Sequence, residues 1–196
     1  MRNERLDTEY WDNFKERETE MRRALEIGCG NFPKLKGEGV EYLDKEEANC
    51  KPLTVWDLEK TPLPYESNVF DKIVASQVLE HIVNLIPLMK ELHRILKKDG
   101  ILEVWVPYVR DYDHAFGDPT HVRYFDDKTF KYFDPIHRQS NIVYEPYFDV
   151  TVEHIRYYQS STFRSQLHKL SWITRHPTKS FRTAWLHVTM KALKEG

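Results

Sequence analysis

The stretch "RALEIGCGNFPKLKGEGVEYLD", Arg23 to Asp44, decides the fold. Arg23 to Gly28 reads as an apolar strand that breaks at Gly28-Cys29-Gly30, and Val40 to Asp44 reads as a second strand closed by a carboxylate. Two parallel neighbours must be joined by a crossover of a dozen or more residues, usually a helix. Only nine residues, Asn31 to Gly39, separate the glycine turn from the second strand, and they include Pro33, Gly37 and Gly39. Proline and glycine both disfavour a helix interior, so this crossover can hold little more than a turn.

Outward from that unit the chain alternates strands with helical stretches. Leu53 to Asp57 reads as a short third strand, and "TPLPYESNVF" follows with two prolines that exclude regular structure. Phe70 to Ala75 is a β-branched fourth strand. Asn84 to Lys98 is the clearest helix, with Leu85, Leu88, Met89, Leu92, Ile95 and Leu96 on one stripe and Gly100 placed to be its left-handed cap. Ile101 to Val106 is a fifth strand, and Phe148 to Tyr158 and Thr183 to Leu193 read as two late strands. The pattern predicts one α/β domain over residues 1–196, parallel in its first half with an antiparallel edge. Residues 4 to 22 carry Leu6, Tyr10, Phe14 and Met21 at near-helical spacing, which predicts an amphipathic N-terminal helix.

Bulk composition is that of an ordinary globular protein: 40% hydrophobic, 31% charged and a net charge of -2. Such a balance supplies no global attraction to nucleic acid or to an anionic membrane. Cys29 and Cys50 lack metal-ligand spacing, the first residues lack an apolar signal core, and no run is long enough to span a bilayer, so we expect a cytoplasmic protein without a membrane partner.

Ligands of open α/β sheets bind beyond the carboxyl ends of the strands. There Gly28 and Gly30 permit a tight turn, and Asp44 can accept hydrogen bonds from a ribose diol. A dinucleotide also needs a helix N-terminus for its pyrophosphate, and Pro33 stands where the third glycine of that fingerprint would be. S-adenosylmethionine (SAM) has the ribose and the adenine without a pyrophosphate. Its ammonium end would welcome a carboxylate such as Glu26, just before the turn.

Together, "LEIGCG", "EYLD", "VWDLEKTPLPYESNVFDKIVASQVLEHI" and "LHRILKKDGILEVWVP" resemble the class I SAM-dependent methyltransferases, in the small Rossmann-like group called type 11, over roughly residues 23 to 107. The resemblance implies a Rossmann-like, seven-stranded, mostly parallel sheet with an antiparallel last strand. It also implies that Glu26, Gly28, Cys29 and Gly30 form the SAM turn, that Asp44 meets the ribose, and that Asp57 and Leu58 meet the adenine. Ser76 and Gln77 are implied to touch the methionine moiety. The shortened first crossover departs from the family pattern, so no contact is assigned to Asn31 and Phe32 at the helix start.

The acceptor should bind beside the insertions at 107–147 and 159–182. "PYVRDYDHAFGDPTHVRYFDDKTFKYF" begins where the fifth strand ends and carries His114, Asp118, His121 and Arg123. A turn at Gly117-Asp118-Pro119 would present His121 as proton acceptor and Arg123 to orient substrate, with His81 of "VLEHI" the rival base. A metal on His114, Asp118 and His121 is chemically conceivable, but these scattered loop residues lead us to expect none. We expect a small-molecule or glycan-type acceptor, methylated on oxygen or nitrogen. From Tyr157 to Gly196, seven Lys or Arg face one acid, so an RNA or nucleotide acceptor is the alternative enzyme reading. A non-catalytic SAM-fold subunit is the third. The sequence sets no oligomeric state.

Overall fold

The structure is a computed structural model that describes residues 23–136, 145–158 and 181–194. The expected N-terminal helix, most of the 159–182 insertion and residues 137–144 lie outside the described residues. The strands are β1 (Ala24–Ile27), β2 (Val40–Asp44), β3 (Leu53–Val55), β4 (Phe70–Ser76), β5 (Leu96–Pro107), β6 (Phe148–Tyr158) and β7 (Phe181–Ala192). Two α-helices, α1 (Leu85–Ile95) and α2 (Tyr112–Phe116), and two 3-10 turns, Leu79–His81 and Phe130–Phe133, complete the described elements.

All seven strands join one sheet in the order β3-β2-β1-β4-β5-β7-β6. β1 pairs in parallel with both β2 and β4, so its carboxyl end at Ile27 lies between Leu43 and Ala75. The order reverses at β1, which makes the turn after Ile27 the switch point where such sheets hold ligands. β7 runs antiparallel to both β5 and β6. The last strand is thus the antiparallel one, as expected, and it lies between β5 and the edge strand β6, so that the sheet ends in an antiparallel pair.

The first crossover contains no helix, as its composition required. Residues 28–39 are turn and coil, and Leu35 is buried from within them. α1 buries Leu85, Leu88, Met89, Leu92 and Ile95 in the same apolar cluster as Ile73, Leu102 and Val104. Each such side chain contributes about 1.5–3 kcal/mol. The helix is shorter than the sequence stripe suggested. It ends at Ile95, and Leu96 is extended (φ -66, ψ 146) because it already pairs with Phe70 in the sheet. The left-handed residue is Asp99 (φ 62) rather than Gly100. Gly100 is needed for space, since a Cβ there would lie 3.0 Å from the Lys97 carbonyl.

A row of polar side chains crosses the mixed half of the sheet. Lys72 Nζ on β4 lies 2.7 Å from Glu103 Oε2 on β5. Glu103 Oε1 is 2.9 Å from His187 Nε2 on β7, whose Nδ1 is 3.2 Å from Glu153 Oε2 on β6. Trp105 stacks on the His187 ring with centroids 4.5 Å apart. Lys72 is 3% and Glu103 7% exposed, so neither charge is solvated. Burial pushes the Glu103 carboxyl upward, but His187 and Lys72 outweigh it and hold the group below its usual range.

A buried charge left without its partner costs far more than the pair itself contributes. Lys72→Met should therefore lower the unfolding free energy by about 3 kcal/mol, read by urea denaturation. The double variant Lys72→Met/Glu103→Leu should recover most of that loss. Because the folded Glu103 carboxyl is depressed, its contribution is present above the ordinary carboxylate range and is lost as pH falls through the folded value. The gap between wild type and Lys72→Met should therefore close in acid.

Candidate active site

The glycine turn is built from backbone donors and side-chain carboxylates. Gly28 and Gly30 have φ +63 and +50, in the left-handed region. Gly28 N donates to the Leu43 carbonyl at 2.8 Å, and Gly30 N donates to Asp44 Oδ2 at 2.8 Å. Asp44 thus fixes the turn from the end of β2, and its Oδ1 accepts from Glu46 N at 3.3 Å. Asp44 is half-buried at the carboxyl end of β2.

Glu26 does something the sequence reading missed. It is 2% exposed, and its two oxygens accept from Lys34 N at 2.9 Å and Leu35 N at 2.7 Å. Burial raises its pKa, while the two amides and the Lys34 charge oppose the rise. The expected ammonium partner is, in this structure, the anchor of the crossover loop. Cys29 and Cys50 bring their Sγ atoms to 2.9 Å under the turn, and burial pushes the Cys29 thiol up.

The next two connections close the cofactor side. Asp57 Oδ1 accepts from Glu59 N at 3.0 Å, and Lys60 N donates to the Asp57 carbonyl at 2.9 Å, so Asp57 turns the chain after β3 while Leu58 is buried in the core. Glu59 is a second residue that no sequence motif flagged. Its carboxylate accepts from Val83 N at 2.5 Å and Asn84 N at 3.0 Å, which ties this turn to the start of α1. After β4, Ser76 and Gln77 are both half-buried. Gln77 sits at φ 56, with N and Nε2 both donating to the Trp105 carbonyl at 2.9 and 3.2 Å.

On the acceptor side the chain leaves β5, forms α2 and returns through residues 117–129. The Glu80 carbonyl accepts from Val122 N at 2.9 Å and Arg123 N at 3.1 Å. Arg123 Nε donates to the Ile82 carbonyl at 2.7 Å, and its Nη2 donates to the Val83 carbonyl. These bonds make Arg123, expected to orient substrate, a clamp between the loop and the 3-10 turn. His121 Nδ1 lies 2.9 Å from the Ala115 carbonyl, and a carbonyl only accepts, so Nδ1 carries the proton and Nε2 keeps its lone pair. The His81 and His121 rings meet edge to face with centroids 4.9 Å apart. Beside them Glu80 is 1% exposed, and burial pushes its carboxyl up to about 7. His114 is elsewhere, against Asp111 and the Trp185 ring, so the trio His114, Asp118 and His121 does not come together as one ligand set. Among the described residues no helix is long and apolar enough to cross a membrane.

A methyltransferase domain model matches residues 2–172. The ubiquinone/menaquinone biosynthesis C-methyltransferase UbiE of Geotalea uraniireducens (strain Rf4) is 31% identical over 97 residues, which is 43% of this chain and 41% of that relative's length. A SAM-dependent methyltransferase from Archaeoglobus fulgidus has a similar fold, with a TM-score of 0.64 at 16% identity over 95% of this chain and 93% of that one. The phosphoethanolamine N-methyltransferase 2 of Haemonchus contortus, solved with SAM, superposes with a TM-score of 0.53 at 12% identity over 88% of this chain and 49% of that one.

The two glycines of the turn make different demands. At Gly28 a Cβ would lie 2.5 Å from Val78 Cγ2, whereas at Gly30 nothing lies within 4 Å. Gly30→Ala should cost only the left-handed backbone strain, about 1–2 kcal/mol. Gly28→Ala adds a clash with buried Val78 and should destabilise more. Thermal unfolding of the two variants side by side tests this, and equal losses would contradict the packing argument.

Proposed function

We propose, because this chain belongs to the class I SAM-dependent methyltransferases, that it moves the sulfonium methyl of SAM to an oxygen or nitrogen of a small-molecule or glycan-type acceptor. The observation that carries the cofactor half is the Gly30 N to Asp44 bond at 2.8 Å, which aims a carboxylate across the turn at the carboxyl edge of β1 and β2. Glu26 serves the same site from below, by holding the crossover in place of a helix. Asp57, Leu58, Ser76 and Gln77 line the same edge at the ends of β3 and β4. Gly28, Cys29 and Gly30 form its floor.

In the transfer the acceptor lone pair attacks the methyl carbon, the carbon–sulfur bond breaks, and S-adenosylhomocysteine leaves. An oxygen or nitrogen nucleophile must also lose its proton, and the protein mainly aligns the partners and takes that proton. His121 is suited to the task because its Nδ1 proton is committed to Ala115, which leaves Nε2, 4.0 Å from Asp118 Oδ2, as the accepting nitrogen. His81 stands next to it as the alternative acceptor. Arg123 supports both by locking their loops together.

The aromatic surface nearby suits a flat or sugar-like acceptor. Tyr112, Phe116 and Tyr124 are exposed, and they stack in a row with centroid separations of 5.7 and 4.2 Å. Such faces bind apolar rings and the hydrogen-bearing faces of sugars.

Calorimetry with SAM tests the cofactor half. Asp44→Asn keeps an oxygen for Gly30 N but removes the charge, and it should weaken SAM binding about tenfold, or ~1.4 kcal/mol. A folded wild-type protein that binds no SAM would overturn the enzyme reading. The acceptor half is tested by measuring S-adenosylhomocysteine release against matched panels of oxygen, nitrogen and carbon nucleophiles. Turnover confined to carbon nucleophiles would refute the oxygen or nitrogen assignment.

A further inference from the structure

Glu80, His81 and His121 each present one ligand atom, and all three atoms lie within 4.8 Å of one another. Among the described residues this is the set of metal-ligating side chains that converges. We infer that it is a binding site for a divalent first-row transition cation, zinc in the first instance, held by one carboxylate and two imidazoles. A point central to three such atoms is no more than about 2.8 Å from each. Small side-chain rotations would bring them to the roughly 2.0–2.2 Å of zinc bonds.

Both imidazoles are already in the form a metal needs. Thr120 Oγ1 donates to Asp118 Oδ1 at 2.6 Å, because that carboxylate can only accept. The same hydroxyl is 3.0 Å from His81 Nδ1, so it must accept the Nδ1 proton, leaving the His81 Nε2 lone pair open. His121 reaches the same state through the Ala115 carbonyl. A histidine whose second nitrogen donates to a carbonyl or to a carboxylate-backed hydroxyl is a pre-oriented metal ligand.

Glu80 supplies the independent observation. Its side chain is buried at 1% exposure, and neither carboxylate oxygen has a hydrogen-bond partner. A buried carboxylate without a partner is costly, and a cation bound to it and the two neighbouring nitrogens would remove that cost. The scaffold is rigid. The loop bearing His121 is fastened to the turn bearing Glu80 and His81 by Val122 N, Arg123 N and the Arg123 guanidinium.

Two imidazoles and one carboxylate leave a position open for water or an acceptor oxygen, which is how catalytic zinc sites are arranged. This inference deepens the function proposed above and rests on it only for that last point. With the ion in place the His121 lone pair goes to the metal. An acceptor hydroxyl at the open position would then be activated by the ion, its proton passing to solvent.

The test uses untagged full-length protein, stripped with chelator and titrated with Co2+, whose visible ligand-field bands report a tetrahedral nitrogen and oxygen site. Wild type should take up one equivalent, displaceable by Zn2+. His81→Ala, His121→Ala and Glu80→Gln should each weaken uptake at least tenfold. SAM binding measured on the same samples shows which variants are folded, with His121→Asn in reserve if His121→Ala is not. Wild type that binds SAM but no Co2+ would overturn the site, as would uptake unchanged in both histidine variants. Co2+ uptake lost in the variants, from protein that never binds SAM, would support the metal site while sinking the methyltransferase reading.

Discussion

Two hydrogen bonds to a buried carboxylate carry the cofactor side of this protein. Glu26 receives Lys34 N and Leu35 N from a segment too short and too rich in proline and glycine to be a helix. A helical crossover satisfies its own amides and packs an apolar stripe on the sheet. This one does neither, so a side chain of β1 must supply the acceptors. With Lys34 and Leu35 fixed, Leu35 can bury its side chain beside Ala24 and Val74, and Tyr42 can donate its hydroxyl to the Leu35 carbonyl at 2.9 Å. The truncated unit is closed on three sides by that arrangement, and the glycine turn above it keeps its shape. The loss of helix dipole suits a ligand without a pyrophosphate.

The other half of the sheet is held by a different device. β7 enters between β5 and β6 with the opposite direction, and the polar row from Lys72 through Glu103 and His187 to Glu153 crosses that junction. A row of this kind specifies register, because a slip by one residue would turn every member to the opposite face. It would leave Lys72 and Glu103 buried without each other. A buried charge without its partner is costly, so the row penalises any other pairing of these strands.

Most of the architecture was legible in the sequence. The strand from Phe70 and the apolar stripe from Leu85 are strong periodic signals, and both fall where their patterns put them. The helix end was misplaced because Leu96 fits the stripe of α1 equally well, and only its pairing with Phe70 makes it a strand residue. Gly100 looked like a cap for the same reason, since glycine after two lysines is a general end signal, whereas the left-handed turn falls on Asp99. On the site, the residue types at the turn were readable because Gly28 and Gly30 need φ values that few other residues accept. Glu59 and Glu80 were not, because the amides that meet the Glu59 carboxylate are 24 and 25 residues away and those that meet the Glu80 carbonyl about 40. No local spacing encodes such contacts. The clamp made by Arg123 was equally illegible, as its acceptors are main-chain carbonyls that carry no sequence signature.

The two sides of the cleft are thus built on opposite principles. On the cofactor side carboxylates hold backbone amides: Glu26 holds the crossover, Asp44 the glycine turn, Asp57 and Glu59 the connection into α1. What faces the ligand is main chain of fixed shape, with few side chains free to vary. Across the cleft the order is reversed, because main-chain carbonyls hold the His81 and His121 side chains and a clamped arginine and two loop amides fix the backbone at Glu80. On the first kind of surface Glu26, Asp44 and Glu59 are each tied to two amides, which fixes its shape. On the second kind, exchanging one imidazole or one aromatic of the Tyr112, Phe116 and Tyr124 row alters the surface without loosening the sheet. The loop clamp at Arg123 is what makes that freedom possible, since it fixes the backbone independently of which side chains the loop displays.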